Sequence, residues 1–157
     1  MAELPLALGV VSLISTISKT SSLVASFVRG CRDARHDLEH ISQELSSLGN
    51  LLSLLEQVIA TTNDHAIPEP LQERIAGIIS NCTTVLKDFD ELLQRHNGKR
   101  IDQAACWAMI GKHDAAKLRL NLEAHRSDLS LSLDVLTQYV YLRDHCLSWY
   151  VIRTIDL

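Results

Sequence analysis

The sequence predicts an all-α fold: an antiparallel four-helix bundle with an additional short helix before the last long one. Three observations carry that expectation. Apolar residues recur every three or four positions through four stretches of similar length. Only 6 glycines and 3 prolines punctuate 157 residues, which favours long helices over the turn-rich strands of a sandwich. The hydrophobic fraction is 46% but the aromatic fraction only 4%, so Leu, Ile and Val must fill the core. A chain of this length is one domain of ordinary size with room for a substantial core.

The first helix spans Leu4 to Val28 and carries a single formal charge, Lys19. Leu6, Val10, Leu13, Ile17, Val24 and Phe27 step by three or four, with Thr20 filling the gap. Pro5 suits a first turn, where its missing N–H is not needed. The opposite face is Ser12, Ser15, Thr16, Lys19, Ser22 and Ser26, where an ordinary surface helix would place Lys and Glu. Ser and Thr suit close helix contact and can bond back to their own backbone in an apolar setting. As a helix this stretch reaches ~35 Å, long enough to cross a bilayer. The 11 Leu, Ile, Val and Phe residues from Leu6 to Val28 favour insertion, by roughly 5 kcal/mol, and Lys19 opposes it by about 3. Its 8 Ser and Thr residues erode the remainder. The balance sits near zero, which disfavours a permanent anchor and leaves a segment able to switch between protein and lipid. Glu3 stands where a signal peptide would be basic, and no small-residue cleavage site follows.

Gly30 and Cys31-Arg32-Asp33 form a short turn. The second helix, roughly Asp33 to Thr62, has the cleanest periodicity: Leu38, Ile41, Leu45, Leu48, Leu52, Leu55 and Ile59 make a bundle seam. Leu51, Leu54 and Val58 widen it, so two or three neighbours are expected. Asn63-Asp64, Pro68 and Pro70 place a loop over 61–70. The third helix runs from about Glu69 to Arg95 on Leu71, Ile75, Ile78, Cys82, Val85, Phe89 and Leu92, with Gly98 as its cap.

Asp102 caps a short helix containing Ala105, Trp107, Ala108 and Ile110, and Gly111 permits a bend. The last long helix starts near Lys112 and reaches at least Tyr141, with Leu118, Leu122, Leu129, Leu133, Leu136 and Val140 inward and His125 on the same stripe. Residues 1–145 are therefore assigned to the bundle and 146–157 to a helical extension or the start of a linker. The end at Leu157 without a polar tail suggests a piece of a larger protein.

A net charge of −4 disfavours nucleic-acid binding. Cys31, Cys82, Cys106 and Cys146 are scattered without CxxC spacing, so reduced and mostly buried thiols in the cytosol are expected. His36 and His40 lie one helical turn apart, but HDLEH is not HExxH and no third ligand can be assigned; no metal and no cofactor is expected. Gly111-Lys112 lacks the upstream glycine of a phosphate loop. Nothing resembles a paired acid and base, so an enzyme is not expected. Lys99, Arg100, Lys112, Lys117 and Arg119 form a loose basic group around the short helix, and Arg29, Arg32 and Arg35 follow the first helix directly. Against the plain alternative of a solvated surface, Arg29, Arg32, Arg35, Lys112 and Lys117 are candidates for anionic lipid headgroups, each worth ~1 kcal/mol near a charged membrane. If the first helix entered a bilayer from its N-terminus, the arginines would stay cytosolic.

Two stretches carry a family resemblance. The opening Met1 to Val28 with the seam Leu45, Leu48 and Leu52 is one. The other is Trp107-Ala108-Met109-Ile110-Gly111-Lys112 with Lys117-Leu118, Leu122-Glu123-Ala124-His125-Arg126 and Leu129 to Leu133. Over roughly residues 1–145 they resemble the HeLo-like N-terminal domain of fungal STAND, or NOD-like receptor, proteins, including the type annotated after the azaphilone pigment cluster. The resemblance implies a four-helix cell-death effector that oligomerises with itself and releases its first helix into the plasma membrane. The sequence departs from the strongest examples: Lys19 interrupts the apolar run, and Gly9 is the sole glycine before Gly30.

The expectation is thus a cytoplasmic domain that relocates to the plasma membrane. Leu6, Val10, Leu13, Ile14 and Ile17 would enter lipid. Its partners would be further copies of itself, anionic membrane lipids and other domains of the same full-length protein. The alternative is a protein-interaction module that oligomerises through its helices and never touches lipid.

Overall fold

The computed structural model describes residues 3–62, 67–97 and 103–155, and these are helical almost throughout. The four principal helices are α1 (Glu3–Gly30), α2 (Arg35–Thr61), α3 (Glu69–His96) and α5 (Lys112–Ile155). A 3-10 turn, Arg32–Ala34, leads into α2. The short helix α4 (Gln103–Cys106) passes into a π-helical turn, Trp107–Gly111, and then into α5 without a break. The chain passes Gly111 in that π turn without leaving the helix, so the extra helix is the first stretch of the last one. Asp64, Gly98, Lys99, Arg100 and Asp102 lie outside the described residues, so the two caps and two of the five loosely grouped basic residues fall there.

Helices α1 and α5 each pack against both α2 and α3, and lie across the diagonal from one another. The register gives the directions. A Cβ at Gly9 would stand 3.6 Å from Ile79 Cγ2, and Thr20 bonds Asp90; both pairs are offset by the same number of residues, so α1 and α3 run parallel. Asp37 meets Lys112 and Glu44 meets Arg126, so α2 and α5 are parallel as well. Ile17 lies against Gly49, so α1 and α2, joined by a short turn, are antiparallel. α2 and α3, consecutive in the chain, therefore occupy the other diagonal, and the neighbouring pairs α1/α3 and α2/α5 run parallel rather than antiparallel as expected.

All seven residues of the α2 seam are buried. They meet Leu6, Val10, Leu13, Ile17, Val24 and Phe27 of α1 and the inward stripes of α3 and α5 in one core. Burial of Leu or Ile side chains contributes about 1.5–3 kcal/mol each, so the apolar stripes are what hold the helices together. Leu54 is exposed rather than seam-widening, and Leu51 and Val58 are half-buried, in keeping with two neighbours for α2. Pro70 sits within the first turn of α3 rather than in the loop, where it displaces no hydrogen bond. Two ion pairs bridge α2 and α5 among the described residues, Arg126 Nε to Glu44 Oε2 at 2.6 Å and Lys112 Nζ to Asp37 Oδ1 at 3.8 Å.

At 44 residues α5 is far longer than its 27- and 28-residue partners. It continues past the bundle beyond Val140. Tyr141, Leu142, Leu147, Trp149 and Tyr150 are all exposed there. The helix itself runs on to Ile155.

Candidate functional site

The direction of the helices gathers the ends of α1 and α3 and the starts of α2 and α5 at one pole of the bundle. Trp107 is the hub of that pole. Its ring is buried, 5.1 Å from the Phe27 ring of α1 and 6.0 Å, edge-on, from the His96 ring of α3. Its Nε1 donates to Asp37 Oδ2 of α2 at 3.2 Å. A Cβ at Gly111 would collide with the six-membered part of the Trp107 ring. The π turn therefore needs glycine there so that the indole can lie flat on the backbone. Nδ1 of His96 is buried with no hydrogen-bond partner.

The three arginines that follow the apolar helix converge beside this hub. Arg29 at the end of α1, Arg32 in the 3-10 turn and Arg35 at the start of α2 line one open groove of about 1050 Å³. Val24, Ala25, Val28 and Leu38 complete its apolar lining, with Glu39 and Ser42 beside them. All three arginines are exposed, so their guanidinium groups stay hydrated until an anion arrives. Met109, 81% exposed, and Ile110 stand at the same pole.

The five cationic candidates do not form one site. Lys112 reaches Asp37. Lys117 opens onto a separate groove between α3 and α5, beside Asp88, Arg95 and Asp114. Acidic residues stand beside both lysines, and Glu39 stands beside the three arginines of their groove, which gathers the larger number of cationic side chains. Among the inserting candidates, Leu6, Val10, Leu13 and Ile17 face the core and Ile14 is half-buried. The outer face of α1 presents the expected Ser and Lys positions, but also exposed Leu8 and Val11, which the stripe count had left out. Leu6–Gly30 is the one helical segment long and apolar enough to cross a membrane among the described residues, with a mean hydropathy of 1.4.

One contact escaped the sequence. Thr20, the polar residue in the core stripe of α1, is fully buried and donates to Asp90 Oδ1 at 2.8 Å. Its partner is seventy residues away, so periodicity alone could not supply it. His36 and His40, exposed on α2, rest edge-to-face with ring centroids 5.9 Å apart. Of the four thiols, Cys31 and Cys82 are buried but Cys106 and Cys146 are exposed, against the expectation of mostly buried cysteines. Burial pushes the Cys82 thiol up to about 12.

No protein-family model, curated protein or solved structure matches the chain.

Proposed function

We propose that the chain is a membrane-docking effector domain of the HeLo-like type, whose first helix is held in the bundle until activation. The observation that carries this reading is the convergence of Arg29, Arg32 and Arg35 on one groove at the end of α1. Those arginines sit where α1 leaves the bundle. If α1 swings about Gly30 and enters lipid from its N-terminus, its arginines remain at headgroup level without crossing the hydrocarbon. The apolar groove lining and the exposed Met109 and Ile110 give the same pole an interfacial character.

The bundle opposes that swing. Six apolar side chains of α1 lie in the core, and uncovering them costs on the order of 10 kcal/mol. Lipid insertion of this segment is near balance by itself. Release therefore requires a trigger that loosens α1 or adds binding energy at the membrane. Self-association of released helices, with Ser, Thr and Lys19 turned toward one another, supplies the second.

Vesicle flotation tests the docking step. The protein is expected to float with vesicles containing phosphatidylserine and to stay in the aqueous fraction with phosphatidylcholine alone. Replacing Arg29, Arg32 and Arg35 with alanine removes about 3 kcal/mol of attraction, a loss of roughly a hundredfold in partitioning. Equal binding by that variant, or binding indifferent to lipid charge, overturns the reading.

A further inference from the structure

Helix α5 carries a second apolar stripe that the bundle does not use. Val135, Tyr139, Leu142, Cys146 and Trp149 step by four, three, four and three residues. That alternation is the a/d seam of a coiled coil. At about 100° per residue the stripe is turned by roughly 140° from the bundle-facing line of Leu122, Leu129, Leu133, Leu136 and Val140. All five seam residues are exposed, Leu142 by 61% and Trp149 by 69%, and exposed Leu131 adjoins them.

We propose that this seam is where a second copy of the chain docks, pairing two domains through the outer face of α5. The spacing selects the partner's form, since knobs-into-holes packing requires another helix with the same repeat. Charge permits a second copy of this chain. From Val135 to Trp149 the seam itself carries no charged residue, so two identical seams oppose each other without repulsion, as a two-fold interface demands. Flanking Arg143 is engaged by Asp144, Nη2 to Oδ1 at 3.0 Å, so this stretch offers no basic cluster for anionic lipid. The apolar surface on offer is on the order of 700 Å² per copy, close to the ~800 Å² that a stable interface takes from each partner. All three tyrosines and one of the two tryptophans lie in the 139–150 stretch, the side chains enriched at the centres of protein interfaces.

This pairing is independent of the membrane reading, since the arginine groove lies at the opposite pole from the overhang. Light scattering coupled to gel filtration tests it on the full chain at tens of micromolar. The expected mass is twice the 17.5 kDa of one chain. The double variant Leu142→Glu, Trp149→Glu should return the mass of one chain with unchanged helical circular dichroism, because both side chains stand in solvent in the single domain. A single-chain mass for the unaltered protein overturns the proposal, whether or not the overhang then binds vesicles. So does a doubled mass that survives the double substitution.

Discussion

Trp107 joins all four principal helices through one ring, and its setting makes sharp demands on single residues. Gly111→Ala forces a methyl group into the indole. The strain should cost about 1–3 kcal/mol, seen as a drop of several degrees in the thermal midpoint followed by circular dichroism. Cys82 offers a second test. Its thiol is pushed to about 12 by burial from an ordinary value of 9.0. The folded state therefore holds that proton when the unfolded chain has begun to lose it. Stability from this group is complete below pH 9 and declines as the pH rises toward 12. At pH 8 in the native state, iodoacetamide should label exposed Cys106 and spare Cys82, read by peptide mass spectrometry. In the sequence, Trp107 was legible as a member of a short helix, yet Gly111 read as a bend. Only the placement of the ring on the backbone shows why glycine stands there.

At the scale of the element, α1 shows how far periodicity reaches. The stripe from Leu6 to Phe27 is buried as its spacing requires. The polar outer face is open because α1 has neighbours on two sides only, α2 and α3. This separates folding from insertion. Leu13→Glu buries an unpaired carboxylate and should destabilise the bundle by several kcal/mol, so loss of activity in that variant is ambiguous. Leu8→Glu with Val11→Glu places both charges in solvent and should leave the thermal midpoint within a few degrees of the unaltered protein. The same pair should abolish leakage of phosphatidylserine vesicles, measured by dye release, if α1 enters lipid. Helix α5 is the converse case. Its inner stripe was legible from Leu118 to Val140, whereas its outer seam overlaps the same residues and is recognised only once the inner face has been assigned.

For the whole molecule, the consequential feature is the diagonal placement of α2 and α3, which sets α1 beside α3 and brings the arginines, Trp107 and the start of α5 to one pole. The overhang leaves the opposite pole. A chain ending at Val140 should keep its helical bundle and, at concentrations too low for pairing, a thermal midpoint close to that of the full chain, since none of the described side chains removed is buried in the core. The amino-acid sequence by itself determined the helical class, the extents of the first three long helices to within a few residues and the inward stripe of each of the four. Those follow from local periodicity and from Gly and Pro placement, which act within a turn or two of helix. Which helix neighbours which, the union of Arg29, Arg32 and Arg35 in one groove, the Thr20–Asp90 bond and the free seam of α5 were decided only by tertiary structure. Each depends on side chains distant in the chain meeting, or failing to meet, and a pattern repeated in every helix cannot say which partner covers it.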